Sequence, residues 1–306
     1  MQFAAQQQSL LEDQAFLLNS RGVIRLQGDR AMQALQPLVI TSLENVAKKP
    51  ALAHVLDVNG CLMIDLFVVS QQQDLLIENV KSMIPKMLDL LSRPCEALGV
   101  NARDASGEWR VFAELPDQNT FDDGTAFIKY VDPRWHMGAR LLRPADAASS
   151  SQWGREIKWA THALKLGFLP STTRLEDIPV SPLEAGLHAQ DFLLDSGLLP
   201  SELQAVMSSP QENLSRRLLP MRIEPDSITF PTMAGGVPVL AGDVQIGKAI
   251  CHHGLFALSL IELEPWRNAL AAGTPLRCEG QSVLITWPSW LAQESRGRGG
   301  PVAMST

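Results

Sequence analysis

The sequence predicts an α+β protein that ends in a small β-barrel. Three observations carry that expectation. Strand-like and helix-like stretches interleave through the first half with hairpin signals between them, which a repeating strand–helix–strand unit does not produce. A small, polar stretch at 144–152 reads as an exposed linker. From Arg217 onward short apolar runs dominate, separated by proline and glycine.

The elements follow in order. Residues 1–20 are glutamine-rich, then apolar. Val23–Leu26 reads as a strand. Gly28-Asp29 ends it and can cap a helix over about 30–38, where Met32, Leu35 and Leu38 keep helical spacing. Ala51–Val58 and Cys61–Val69 are apolar runs joined by Asn59-Gly60, the strongest short-range hairpin signal. Leu75–Ile77 is a short strand. Asn79 is expected to cap a helix carrying Val80, Met83, Ile84, Met87, Leu88 and Leu91, which Pro85 either kinks or delays by a turn. Strands fit Leu98–Arg103, Trp109–Glu114 and Thr125–Val131, with a turn at 104–107, and another apolar strand follows Gly138. Beyond the linker a helix fits Trp153–Leu166, stopped by Gly167 and Pro170, and a second begins near Ser181. Barrel strands are expected at about 218–223, 237–240, 244–250, 255–263 and 282–287. This organises the chain as two α+β lobes over 1–212 with the linker near 144–152, a barrel over 213–291, and a disordered tail, rich in Gly, Arg and Ser, over 292–306.

Composition narrows the function. The 306 residues are 45% hydrophobic and 19% charged, as in a globular protein with a full core. The formal charge of −7, from 26 basic and 33 acidic residues, argues against a nucleic-acid partner. No run of about 18 apolar residues offers a membrane span. The first basic residue is Arg21, after Glu12 and Asp13, which suits neither a secretory signal nor an Arg-rich transit peptide. The expected location is the cytoplasm. Cys61, Cys95, Cys251 and Cys278 include no C-x-x-C pair and read as reduced thiols, so no resident metal or cluster is expected. Cys251-His252-His253 does not change this, because neighbours on a strand point to opposite faces.

Three places hold candidate binding residues; no catalytic residue is assigned. In Asp132-Pro133-Arg134-Trp135-His136-Met137-Gly138-Ala139-Arg140 the proline forces a turn flanked by Arg134 and Arg140. These arginines are either surface charges or a fork for a carboxylate or phosphate. Asp65 interrupts an apolar strand; it is either a strand-end carboxylate at solvent or a buried one that needs a partner. Glu184 lies in Ser181-Pro182-Leu183-Glu184-Ala185-Gly186-Leu187. Ser-x-x-Glu with proline at the first helical position is a capping box, and Glu184 can serve it by reaching back to the Ser181 N–H. The two oxygens of a carboxylate can also accept N–H donors of a bound ligand, and capping and binding can coexist.

These blocks carry a family resemblance. The Asp132–Arg140 stretch resembles the D-P-R-x-x-x-x-G-x-R element of YgfZ-type folate-binding proteins, relatives of the glycine-cleavage T-protein (aminomethyltransferase, GcvT-like). Ser181–Leu187 is similar to their P-x-E-A-x-L and L-E-A-G-L blocks, the run from Gly60 through Asp65 to their G-x-x-x-x-D-x-x-V element, and Gly28–Gln36 to G-x-D-A-x-x-F-L-Q. Arg216-Arg217-Leu218-Leu219-Pro220, Gly247, Gly254–Leu258 and Trp287-Pro288-Ser289-Trp290-Leu291 resemble the family's C-terminal barrel. The resemblance implies a GcvT/YgfZ-like multi-lobed fold. It implies tetrahydrofolate or a related reduced folate as ligand, with Glu184 on the pterin ring and Asp65 against the folate nitrogens in one shared cavity. Arg134 and Arg140 then contact the glutamate tail or form the pocket wall. It also implies a link to iron–sulfur cluster assembly or repair, with assembly or client proteins as partners.

The sequence departs from the family at its hallmark. The K-G-C-Y-x-G-Q-E motif aligns with Ser196–Leu203, where only the glycine survives and leucine replaces the cysteine. The separation of Pro182 from Arg216 matches the family's, so the motif is substituted and not deleted. Gln211-Glu212 is a poor remnant of it, and the family's T-N-D reads Ile40-Thr41-Ser42 here. Three functions follow: a non-catalytic folate-binding protein supporting iron–sulfur maturation, a folate-dependent aminomethyltransferase-like one-carbon transferase, and a scaffold whose pocket has decayed.

Overall fold

The fold is described from a computed structural model covering residues 15–116, 127–146, 154–170, 173, 179–187, 214–224 and 236–291. The glutamine-rich start, most of the 144–152 linker, Trp153, the substituted motif at Ser196–Leu203, Gln211-Glu212 and the 292–306 tail lie outside these residues. The chain forms two compact units, Met1–Val55 with Ile64–Trp159, and Leu56–Met63 with Ala160–Thr306.

The first unit is built on β1 (Phe16–Leu17), β2 (Arg21–Gln27), α1 (Ala31–Leu35), β3 (Ala51–Leu56), β4 (Leu62–Gln71), β5 (Asp74–Val80), α2 (Ile84–Leu98), β6 (Asn101–Asp104), β7 (Trp109–Glu114), β8 (Ile128–Val131), β9 (Ala139–Pro144) and β10 (Gly154–Arg155). They make two five-stranded sheets, ordered β3-β4-β5-β2-β6 and β10-β1-β7-β9-β8. In the first sheet Val23 pairs with Glu78, and Glu78 with Phe67. The three therefore share a face, joined by Arg21 and Asp65 two residues along their strands. The opposite face carries Gly22, Ile24, Leu26, Leu66 and Ile77 and packs on the helices. A Cβ at Gly22 would lie 2.6 Å from Ile84 Cδ1 of α2. Helix α2 buries Ile84, Met87, Leu91 and Cys95, a single stripe, and ends at Gly99 with φ 65°. In the second sheet Tyr130 pairs with Arg140, and Arg140 with Ala113, so these share one face.

Helix α3 (Glu156–Leu166) follows β10, and the second unit continues as β11 (Arg216–Glu224), β12 (Val237–Ala241), β13 (Val244–His253), β14 (Phe256–Glu262), α4 (Leu263–Ala271), β15 (Leu276–Cys278) and β16 (Gln281–Ile285). The strands close into a barrel, β11-β14-β13-β12-β15-β16, with β16 returning to β11. Leu218 and Leu258 of the barrel cluster with Leu164 of α3. The expected fold class, α+β with a C-terminal small barrel, is observed.

Several local expectations need correction. Asn79 is no helix cap: it sits within β5, opposite Gly22 and Leu66, and α2 starts at Ile84 after a 3-10 turn over Lys81–Met83. Proline at the first turn of α2 sets that start, so Pro85 delays the helix and does not kink it. The strand expected at Leu98–Arg103 begins only at Asn101, because α2 runs to Leu98. The Asn59-Gly60 hairpin exists, but its connection spans 57–61, with Asp57 Oδ1 accepting from the N–H groups of Asn59 and Cys61. The strand expected at 255–263 is β14, and the helix that follows it, α4, occupies a stretch to which the sequence assigns no element. Its Pro265 sits in the first turn, and Leu263, Trp266 and Ala269 form its buried stripe.

Candidate functional site

The two polar faces of the first unit meet in a buried ion network. Arg21 anchors one end. Its Nη1 donates to both Asp65 oxygens at 2.9 Å, and its Nε donates to Glu78 Oε1 at 2.8 Å. Glu78 also accepts from Arg140 Nη1 and from the hydroxyl of Tyr130, the chain's one tyrosine. Arg140 Nε donates to Asp132 Oδ2 at 3.0 Å. Arg134 closes the chain, donating from Nε to Asp132 Oδ1 at 2.9 Å and from Nη2 to Oδ2 at 2.6 Å. Three guanidiniums thus balance three carboxylates. Phe67 lies at the centre, its ring centroid 4.1 Å from the Arg140 Cζ and within 6 Å of those of Arg21 and Arg134.

Burial sets the electrostatics. Desolvation alone would raise the Asp132 carboxyl, but Arg134 and Arg140 outweigh it and hold the group at about 2. The Asp65 carboxyl is likewise pushed up by burial and pulled down further by Arg21, and it ends below its ordinary value. The Tyr130 phenol is raised well above its usual range by burial and then by the Glu78 charge. Burial drops the imidazole of His54, on β3, to about 4. Asp65 and Asp132 are therefore fixed acceptors at neutral pH, and Tyr130 and His54 are neutral.

The structure brings three of the four expected residues together: Asp65, Arg134 and Arg140 belong to this one network. They differ in access. The Arg140 side chain is 1% exposed and holds two carboxylates, so a ligand reaches it only by displacing Glu78 or Asp132. The Asp65 side chain keeps 19% exposure. It resolves the open choice for that residue toward a partnered carboxylate with one edge at the surface.

Glu184 lies in the second unit. The expected capping box is formed: the Ser181 N–H donates to Glu184 Oε2 at 2.9 Å and the Glu184 N–H to Ser181 Oγ at 3.3 Å. Arg216 Nε donates to the other oxygen, Oε1, at 2.8 Å. The described residues there, 181–187, form turns, and the continuation of the helix expected to begin near Ser181 lies outside the described residues.

Sequence reading missed Arg21, Glu78, Tyr130, Phe67 and His54, and noted Asp132 only for its turn. Glu78 and His54 carried the same signal that singled out Asp65, a polar residue inside an apolar strand. Arg21 and Tyr130 lie at a strand start and in a short strand, where such residues are ordinary. No metal-holding group of His, Cys, Asp and Glu occurs among the described residues. Among those residues no helix is long and apolar enough to cross a membrane.

Comparison with known proteins places the architecture. The crystal structure of glycine cleavage system aminomethyltransferase T from Bartonella henselae is similar in fold, with a TM-score of 0.58 and 12% sequence identity over 90% of this chain and 85% of that one. The chain thus has a GcvT-like fold. Residues 216–293 match the family model described as CAF17, C-terminal beta-barrel domain. No curated relative matches the sequence.

Proposed function

We propose that this protein binds a reduced folate, supports iron–sulfur cluster assembly or repair, and does not itself catalyse one-carbon transfer. The observation that carries the reading is the GcvT-like fold with Asp65 as the partly exposed carboxylate of an otherwise enclosed network. In this reading Asp65 accepts N–H groups of the folate, and Arg134 and Arg140 hold the pocket wall through Asp132 and Glu78; Glu184, which the sequence resemblance assigns to the pterin ring, is tested separately. The iron–sulfur role follows from the YgfZ-type sequence blocks, and the CAF17-type barrel is consistent with it. Support for a non-catalytic role comes from the substituted cysteine motif at Ser196–Leu203 and from Asp65, which beside Arg21 suits accepting hydrogen bonds better than shuttling protons.

Isothermal calorimetry with tetrahydrofolate under reductant tests the reading. Wild type releases heat of binding. Asp65→Asn and Glu184→Ala each weaken it by about tenfold or more, the loss of a charge-assisted hydrogen bond. A silent wild type overturns the proposal.

A further inference from the structure

Arg21 decides which lone pairs of Asp65 a ligand can use. Its Nη1 donates to Oδ1 and to Oδ2, each at 2.9 Å. Equal distances put that nitrogen on the bisector of the carboxylate, and hydrogen bonds at such oxygens prefer the plane of the group. The guanidinium therefore covers the inner side, where the lone pairs of the two oxygens converge. It is held there: Arg21 is 4% exposed, its Nε donates to Glu78 Oε1 at 2.8 Å, and its Nη2 donates to the Glu78 carbonyl at 3.3 Å. What Asp65 keeps for a ligand, along its partly exposed edge, is the outer lone pairs, which diverge. Both oxygens already accept, so the group has no proton to give.

A carboxylate held this way does not receive a two-pronged edge. The amide edge of a pterin, N3–H beside the 2-amino group, presents parallel donors and needs both inner lone pairs, as an arginine fork does. An outer lone pair takes one N–H standing alone. The pterin ring carries such groups at N5 and N8 only when it is reduced. In the oxidised ring both nitrogens are acceptors and would face the Asp65 charge.

We propose that the Arg21–Asp65 pair selects the reduction state of the ligand: Asp65 accepts a single N–H from N5 or N8 of the reduced ring, and Arg21 is the positioning residue that closes the inner side of the carboxylate. The inference rests on the reading of Asp65 as ligand-facing and adds to it the ring edge and the pair that set specificity.

The full-length protein is titrated by calorimetry with tetrahydrofolate under reductant and with folic acid, as wild type, Asp65→Asn and Arg21→Gln. Wild type is expected to bind folic acid at least about tenfold more weakly than tetrahydrofolate. Asparagine turns its carbonyl to Arg21 and its amide N–H outward, so Asp65→Asn loses affinity for tetrahydrofolate and not for folic acid, and the ratio shrinks to about threefold or less. Arg21→Gln reopens the inner side to the amide edge that both ligands share, and the ratio falls as well. A merely structural role for either residue would weaken both ligands alike and leave their ratio unchanged. A wild type that binds folic acid as tightly as tetrahydrofolate, or a ratio that survives in the variants, overturns the inference with the folate reading intact. A wild type that binds neither ends both. Should the variants not fold, wild type is titrated with 5-deazatetrahydrofolate and 8-deazatetrahydrofolate: a loss of about tenfold with one of them supports the assignment, and full affinity for both overturns it.

Discussion

At the residue scale, the buried groups of the first unit make stability depend on pH in two steps. His54 has a folded value of about 4 against an ordinary 6.5, so the unfolded chain takes up its proton first. A depressed value contributes stability that is present above pH 6.5 and lost as pH falls toward 4. The expected loss is roughly 3 kcal/mol in urea unfolding over that window, and His54→Leu flattens it. Asp132 acts lower. Its value of about 2, against 3.8, places its contribution above pH 4 and removes roughly 2 kcal/mol as pH falls to 2. A stability curve level from pH 7 to 4 would refute the burial of a neutral His54. The sequence offered part of this cluster. Asp65 stood out because a carboxylate in an apolar run needs a partner, but that partner, Arg21, is 44 residues away. Nothing local names it, since charge pairing across strands follows register and not spacing.

At the element scale, the turn between β8 and β9 determines where two of the guanidiniums lie. The Asp132 N–H donates to the Gly138 carbonyl, and the Arg134 N–H to Asp132 Oδ1, so one aspartate folds the turn and receives both arginines. Gly138 has φ 76°, and a Cβ there would sit 2.1 Å from the Glu114 carbonyl oxygen. Gly138→Ala is expected to cost at least about 2 kcal/mol and to disturb the β8–β9 pairing. Chemical denaturation with hydrogen exchange at Tyr130 and Arg140 measures both effects. Proline and glycine marked this turn in the sequence, as they marked α2 and the Asn59-Gly60 hairpin, because these residues act on the backbone directly. Helix α4 went unread because its nine residues interleave Glu264, Pro265, Arg267 and Asn268 with a stripe of only three buried side chains, a weak periodic signal. Asn79 misled for a related reason: its cap chemistry was overruled by the pairing of β5 with β2 and β4.

At the scale of the whole molecule, the GcvT-like fold is compatible with folate binding and with one-carbon transfer, because fold and function are separable. The two are distinguished by turnover. With an aminomethyl donor and tetrahydrofolate, the protein is expected to show folate binding and no methylene transfer above the uncatalysed rate. Multiple turnovers would make it a transferase, with Asp65 orienting the amine.

The sequence by itself determined the α+β class, the closing barrel and the positions of Asp65, Arg134, Arg140 and Glu184, because hydrophobic period, turn residues and isolated charges are local properties. Only the tertiary structure decided that Asp65, Arg134 and Arg140 share one charge-balanced network, that Arg21 and Glu78 join it, and that Glu184 caps its own turn against Arg216. Those outcomes depend on which strands pair and which faces meet, and they are settled by the cost of burying a charge without its counterpart.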